Sequence, residues 1–120
     1  MPRTLVVKAT AGESEPERCS QAFTVAATAA ASGTSVSLWL TGDAAWFALP
    51  GRAEGFSLPH AAPLTDLLAL VLANGSVTLC TQCAARRDIA EGDVLPGIRI
   101  AGAAVFVEEV LAEGARSLVY

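Results

Sequence analysis

The sequence predicts an α/β domain built on a mainly parallel five-stranded sheet with helices on both faces. Three observations lead there. Five short apolar runs punctuate the chain, at Thr4–Ala9, Ser35–Leu40, Ser76–Cys80, Ile98–Ala101 and residues 117–120. Segments with helical periodicity or helix-boundary residues lie between them. Most connections between strands are a dozen residues or longer, which demands crossovers rather than hairpins. The 120 residues suit one domain over 1–120.

The elements follow in order. "TLVVKA" is a short β-rich strand. After Gly12, Ser14 is placed to cap a helix, with Pro16 and the acids Glu15 and Glu17 in its first turn. That helix should run to about Ser32, with Ala22, Phe23, Ala26, Ala27, Ala30 and Ala31 on its apolar face and Gly33 as its stop. "SVSLWL" alternates Val36, Leu38 and Leu40 against Ser35, Ser37 and Trp39 and reads as the second strand. A turn at Gly42 leads into a short helix with Asp43 as its cap. Residues 49–63 carry three prolines and two glycines and read as a long surface loop. "LTDLLALVLA" is a strongly apolar helix ended by Asn74–Gly75, and "SVTLC" is the third strand. Residues 81–87 form a short helix, 88–97 a loop, 98–101 the fourth strand, 103–112 a helix and 117–120 the last strand.

Composition bounds the function. Hydrophobic residues make up 52% of the chain and charged residues 17%, enough for a core of small aliphatic side chains and a sign that some surface is covered by another subunit. Net charge is −4, and no basic run exceeds Arg86–Arg87, so nucleic-acid binding has little support. No apolar run approaches the roughly 20 residues that span a bilayer. The N-terminus lacks the features of a signal peptide. A cytoplasmic location is expected. There, three cysteines are more often catalytic, metal-binding or inert than disulfide-bonded.

Two of those cysteines make the C-x-x-C of "TLCTQCAARRDI". Cys80 ends the third strand and Cys83 lies about one turn into the next helix. Ligands of doubly wound domains gather at the carboxyl ends of the strands, so both thiols should face that edge. A helix N-terminus favours thiolate, and Arg86 or Arg87 could fold back to support it. Four readings compete. Cys80 and Cys83 could be a reactive pair that carries sulfur or exchanges with other thiols. They could form a thioredoxin-like centre, although that motif follows an early strand. With Cys19 and His60 they could offer zinc four ligands, though without a second paired motif. Or they could pack as small hydrophobes.

Other residues carry weaker signals. Thr10, Ala11 and Gly12 follow the first strand, and their amides could bind an anion at a helix start, or simply form a turn. No G-x-G-x-x-G or Walker A pattern is present, which argues against a nucleotide. His60, the sole histidine, could serve as a base or lid residue in the long loop. Glu13, Glu15 and Glu17 complement a helix dipole. Cys19, Trp39 and Trp46 read as packing residues, and the helix at 64–72 as a face for a neighbouring subunit.

Taken together, "LVVKATAGESEPERCSQAFTVAATAAASG", "SVSLWLTGDAAWFAL", "LCTQCAARRDI" and "LPGIRIAGAAVFVEEVLAEGARSLVY" resemble the DsrE/DsrF-like family. These are small cytosolic α/β domains that include the TusD- and DsrE-type sulfur-relay proteins. The resemblance covers nearly the whole chain. It implies a flavodoxin-like three-layer sandwich, a homo-oligomer, trimeric or hexameric, and a cysteine that carries sulfane sulfur as a persulfide. Cys80 matches that cysteine by position. Cys83 departs from the pattern, since many sulfur-relay members lack a second thiol there. It could attack a persulfide on Cys80, release sulfide and leave a disulfide. The expected function is therefore sulfur handling with a donor or acceptor protein as partner and no required cofactor. The competing readings are a dithiol–disulfide reductase or sensor, and an oligomeric interaction module with structural cysteines.

Overall fold

The computed structural model describes residues 3–120. Five strands form one sheet: β1 (Thr4–Ala9), β2 (Ser35–Leu40), β3 (Ser76–Cys80), β4 (Ile98–Ala101) and β5 (Ala115–Val119). Their order is β4–β3–β2–β1–β5, and all four pairings are parallel. The helices are α1 (Pro16–Ala31), α2 (Leu64–Asn74), α3 (Thr81–Arg86) and α4 (Ala103–Val110). The chain steps outward from β1 to β4, then returns past β1 to place β5 at the opposite edge.

The two faces of the sheet are covered unequally. On one face, α1 and α2 pack on each other and on β1, β2 and β3. Their apolar stripes close over Val7, Ala9, Val36, Leu38, Leu40, Val77 and Leu79, and together make the main core. Phe23 of α1 and Phe47 meet edge to face at 5.9 Å, and Phe47 meets Phe56 at 5.8 Å. Truncating a fully buried ring such as Phe23 should cost about 3–5 kcal/mol. The other face carries α4 alone, and no residue of α4 is fully buried. Leu111 just beyond α4 and Val119 of β5 are 77% and 64% exposed.

Several sequence expectations shift at their edges. Ser14 does not cap α1; Glu15 holds that position without a side-chain bond, because the Glu15 amide closes a turn onto the Gly12 carbonyl at 3.1 Å. Asp43 is not a cap either. Gly42–Ala48 is a 3-10 helix whose cap is Thr41, and the Asp43 carboxylate is taken by Arg87 instead. The alternation read in β2 fails as a burial pattern, since Val36 to Leu40 are all buried: α4 covers the face that Ser37 and Trp39 occupy. The 49–63 loop contains a 3-10 turn at Ala53–Gly55 with Ala53 buried. Strand β5 begins two residues early, at Ala115, and Ala31 of α1 is exposed. Leu64, Leu67, Leu68 and Val71 of α2 are spent on the core, leaving Leu70 as its exposed large residue.

Candidate functional site

Strand β3 runs into α3 without a loop, so Cys80 is at once the last strand residue and the cap of the helix. This places its thiol at the carboxyl edge of the sheet, half-buried. Burial is the largest single influence and pushes the Cys80 thiol up. The backbone and side chain of Cys83, the backbone amide of Gln82 and the charge of Lys8 act the other way, and together they hold it below its ordinary value. The Cys80 thiol also reaches the Gln82 side-chain oxygen at 3.5 Å.

Cys83 sits beneath Cys80, 8% exposed, and its Sγ accepts the Gly42 amide at 3.2 Å. Gly42 is required there. Its φ is +51°, and a Cβ would stand 2.8 Å from the Thr10 carbonyl oxygen. A Cβ on Gly12 would likewise come within 2.7 Å of the Asp43 carbonyl oxygen. The turns after β1, β2 and β3 thus interlock at one edge. Arg87 fastens them: it donates to the Cys83 carbonyl and to the Asp43 carboxylate, each at 3.1 Å. Arg52 stacks over Trp46 at 4.4 Å on the same flank.

A second polar group lies on the α4 face. Lys8, Trp39, Thr78 and Arg99 are register partners in a row across β1, β2, β3 and β4. Glu109 of α4 accepts from Ser37 Oγ at 2.6 Å, from Trp39 Nε1 at 3.0 Å and from Arg99. Burial pushes the Glu109 carboxyl up most, but these three donors and the Arg99 charge hold it below the usual carboxylate range. Lys8 lies over the Phe106 ring at 4.1 Å, and Phe106 meets Trp39 edge to face at 5.3 Å.

The structure brings Cys80 and Cys83 together, as the spacing predicts. Thr10 and Gly12 reach the same edge, but both serve the turn. The Thr10 amide and hydroxyl donate to the Tyr120 backbone oxygen at 3.0 and 2.6 Å, and Gly12 is buried against Asp43. Arg86 is exposed and makes no ion pair among the described residues; its neighbour Arg87 makes the contacts, and Lys8 supplies the charge felt by Cys80. His60 lies elsewhere, exposed in its loop at φ 61°, on a cleft of about 670 Å³ that neither C-x-x-C thiol lines. Cys19 is fully buried, and burial, with help from Glu13, pushes its thiol up to about 12. All three cysteines are free. Among the described residues no group of three or more His, Cys, Asp or Glu side chains converges as metal ligands would. No helix there is long and apolar enough to cross a membrane.

Sequence reasoning named Gly42 only as a turn and Arg87 only beside Arg86, and it missed Lys8 and Glu109. For Lys8 a signal existed: a lysine inside an apolar strand of a sheet covered on both faces needs a reason to be there.

Comparison with known proteins bears on the fold. The model of the DsrE/DsrF-like family matches residues 4–120. The chain is similar in structure to the ychN protein from E. coli, at 19% identity and TM-score 0.76, covering 100% of both chains. It is also similar to MTH1491, a protein of unknown function from Methanobacterium thermoautotrophicum, at 8% identity and TM-score 0.70, again over 100% of both. BT1422, a conserved protein of unknown function from Bacteroides thetaiotaomicron, matches at 14% identity and TM-score 0.57, over 98% of this chain and 94% of that one. At these identities the neighbours speak to the fold. No curated protein matches the chain.

Proposed function

Since this chain belongs to the DsrE/DsrF-like family, we propose that it handles sulfane sulfur through a persulfide on Cys80. One observation carries this reading. Of three free thiols, Cys80 alone combines access to solvent with a thiol held below its ordinary value, while Cys19 is sealed and pushed up to about 12. The nucleophile in sulfur transfer is the thiolate, so the chemistry would begin at Cys80. Its attack on a sulfane sulfur forms a new S–S bond and expels the donor's remaining fragment with the bonding electrons.

Cys83 gives the site a second course. The Cys83 side chain is among the groups that hold the Cys80 thiol down, and it could attack the inner sulfur of a Cys80 persulfide. That step forms a Cys80–Cys83 disulfide and releases the outer sulfur as hydrosulfide, two thiols being oxidised as the sulfur is reduced. A dithiol–disulfide role is therefore the second reading. The chain would act as a homo-oligomer, with a sulfur donor or acceptor protein as partner. The exposed Val107, Leu111, Leu118 and Val119 on adjoining α4 and β5 support a subunit contact there. Arg86 and His60 have no part at the thiols in this proposal.

The test is intact mass after brief polysulfide treatment of the parent, Cys80→Ser and Cys83→Ser. A gain of about 32 mass units per sulfur that vanishes in Cys80→Ser supports the carrier. Loss of two hydrogens requiring both cysteines supports the dithiol reading. No change in the parent sinks both, and leaves an interaction module with structural cysteines.

A further inference from the structure

Lys8 is half-buried near the carboxyl end of β1, on the sheet face that Cys80 shares, and no carboxylate pairs with it among the described residues. Glu109, the carboxylate bound to its row, has both oxygens committed to Ser37, Trp39 and Arg99. Among the described residues Lys8 makes no salt bridge; its ammonium rests over the Phe106 ring at 4.1 Å. The group formed by Lys8, Arg99 and Glu109 therefore keeps one net positive charge inside a chain whose net charge is −4. Thr78, which shares the row with Lys8, stands two residues before Cys80 on the same side of β3. The field of Lys8 reaches that thiol.

Resting on the sulfane-sulfur reading, we infer that Lys8 and Cys80 form a subsite for a small dianionic sulfur donor of the thiosulfate type. Lys8 binds the oxoanion end, and Cys80 attacks the sulfane sulfur. An acidic protein repels a dianion from a thiolate unless a local cation offsets the repulsion. A small anion can reach an ammonium lying partly under α4, whereas a protein donor cannot press its surface against one. The reaction balances without any further reagent. The Cys80 thiolate bonds to the outer sulfur of thiosulfate, the bond to the sulfonate sulfur breaks, and sulfite leaves with its electrons. Three negative charges enter as thiolate and dianion, and three leave as persulfide and sulfite.

The experiment separates anion binding from a mere effect on the thiol. In a Cys83→Ser background, which keeps the adduct on Cys80, Lys8→Met and Lys8→Arg are compared with Lys8 intact. Each reacts with neutral methyl methanethiosulfonate and with its sulfonatoethyl analogue, and the rates are read by intact mass. The anionic-to-neutral rate ratio should fall roughly tenfold in Lys8→Met and be largely restored in Lys8→Arg. Sulfur loading from thiosulfate should follow the same order. A ratio unchanged by Lys8→Met overturns the subsite, even if both rates drop together, because Lys8 then acts on the thiol alone. Cysteine trisulfide, a donor with no net charge, keeps the two proposals apart. Loading from it with an unchanged ratio refutes the subsite and keeps the sulfur reading. A shifted ratio with no loading from either donor keeps the anion subsite and refutes the sulfur reading.

Discussion

Replacing Glu109 with alanine removes the acceptor that joins α4 to the sheet. Ser37 and Trp39 are 5% and 1% exposed, so their hydroxyl and indole N–H are left buried without a partner. Each orphaned donor costs about 1–3 kcal/mol. Arg99 is nearly half exposed, so losing its ion pair adds roughly 0–1 kcal/mol. Because the contacts share one side chain, their losses are not additive, and about 3–4 kcal/mol is the expected total. For a chain of this length that is a fall in Tm on the order of 14 °C. Urea unfolding followed by tryptophan fluorescence (Trp39 and Trp46), at fixed protein concentration, measures it. Glu109→Gln should recover more than half, because its amide oxygen still accepts from Ser37 or Trp39. A loss below about 1 kcal/mol in Glu109→Ala, with the urea slope unchanged, would refute the argument that these buried donors depend on Glu109.

The same carboxylate sets an acid limit. Its pKa is depressed on folding, so its contribution is present above the ordinary value of 4.5 and is lost as pH falls through the lower folded value. Stability against pH should therefore slope less steeply below pH 4.5 in Glu109→Gln than in the parent. Competitive alkylation read by peptide mass should label Cys80 first, with a pH midpoint below the ordinary 9.0, and Cys19 only on unfolding. Gly42→Ala forces a side chain into φ +51° and against the Thr10 carbonyl. It should cost about 1–3 kcal/mol in a thermal melt and expose Cys83 to alkylation. Leu111→Glu should shift the mass measured by light scattering toward the monomer; an unchanged assembly would place the subunit contact elsewhere.

Much of the site was legible in part. The C-x-x-C spacing identifies two thiols that meet, because a strand end followed by one helical turn leaves little freedom in where they go. The identity of the assisting cation was not legible. Arg86 is close to Cys80 in sequence, but the turn of α3 points it to solvent, while Lys8 arrives from β1, more than seventy residues earlier. Thr10 and Gly12 read as anion binders because their amides precede a helix. Tyr120 takes the Thr10 amide and hydroxyl instead, and Gly12 stands where the backbone passes close to Asp43.

The sequence by itself determined the elements. Strand and helix periods, proline at the start of α1 and glycine at its end are local signals, and local sterics enforce them. It also determined that the sheet is parallel, since long connections cannot be hairpins. Tertiary structure alone decided that β5 returns beside β1, that α4 covers one face single-handed, and that Lys8, Trp39, Thr78 and Arg99 fall into one row. Strand order and register depend on which surfaces bury one another across the whole chain. The electrostatics around Cys80 follow from that arrangement, and no local window of residues contains it.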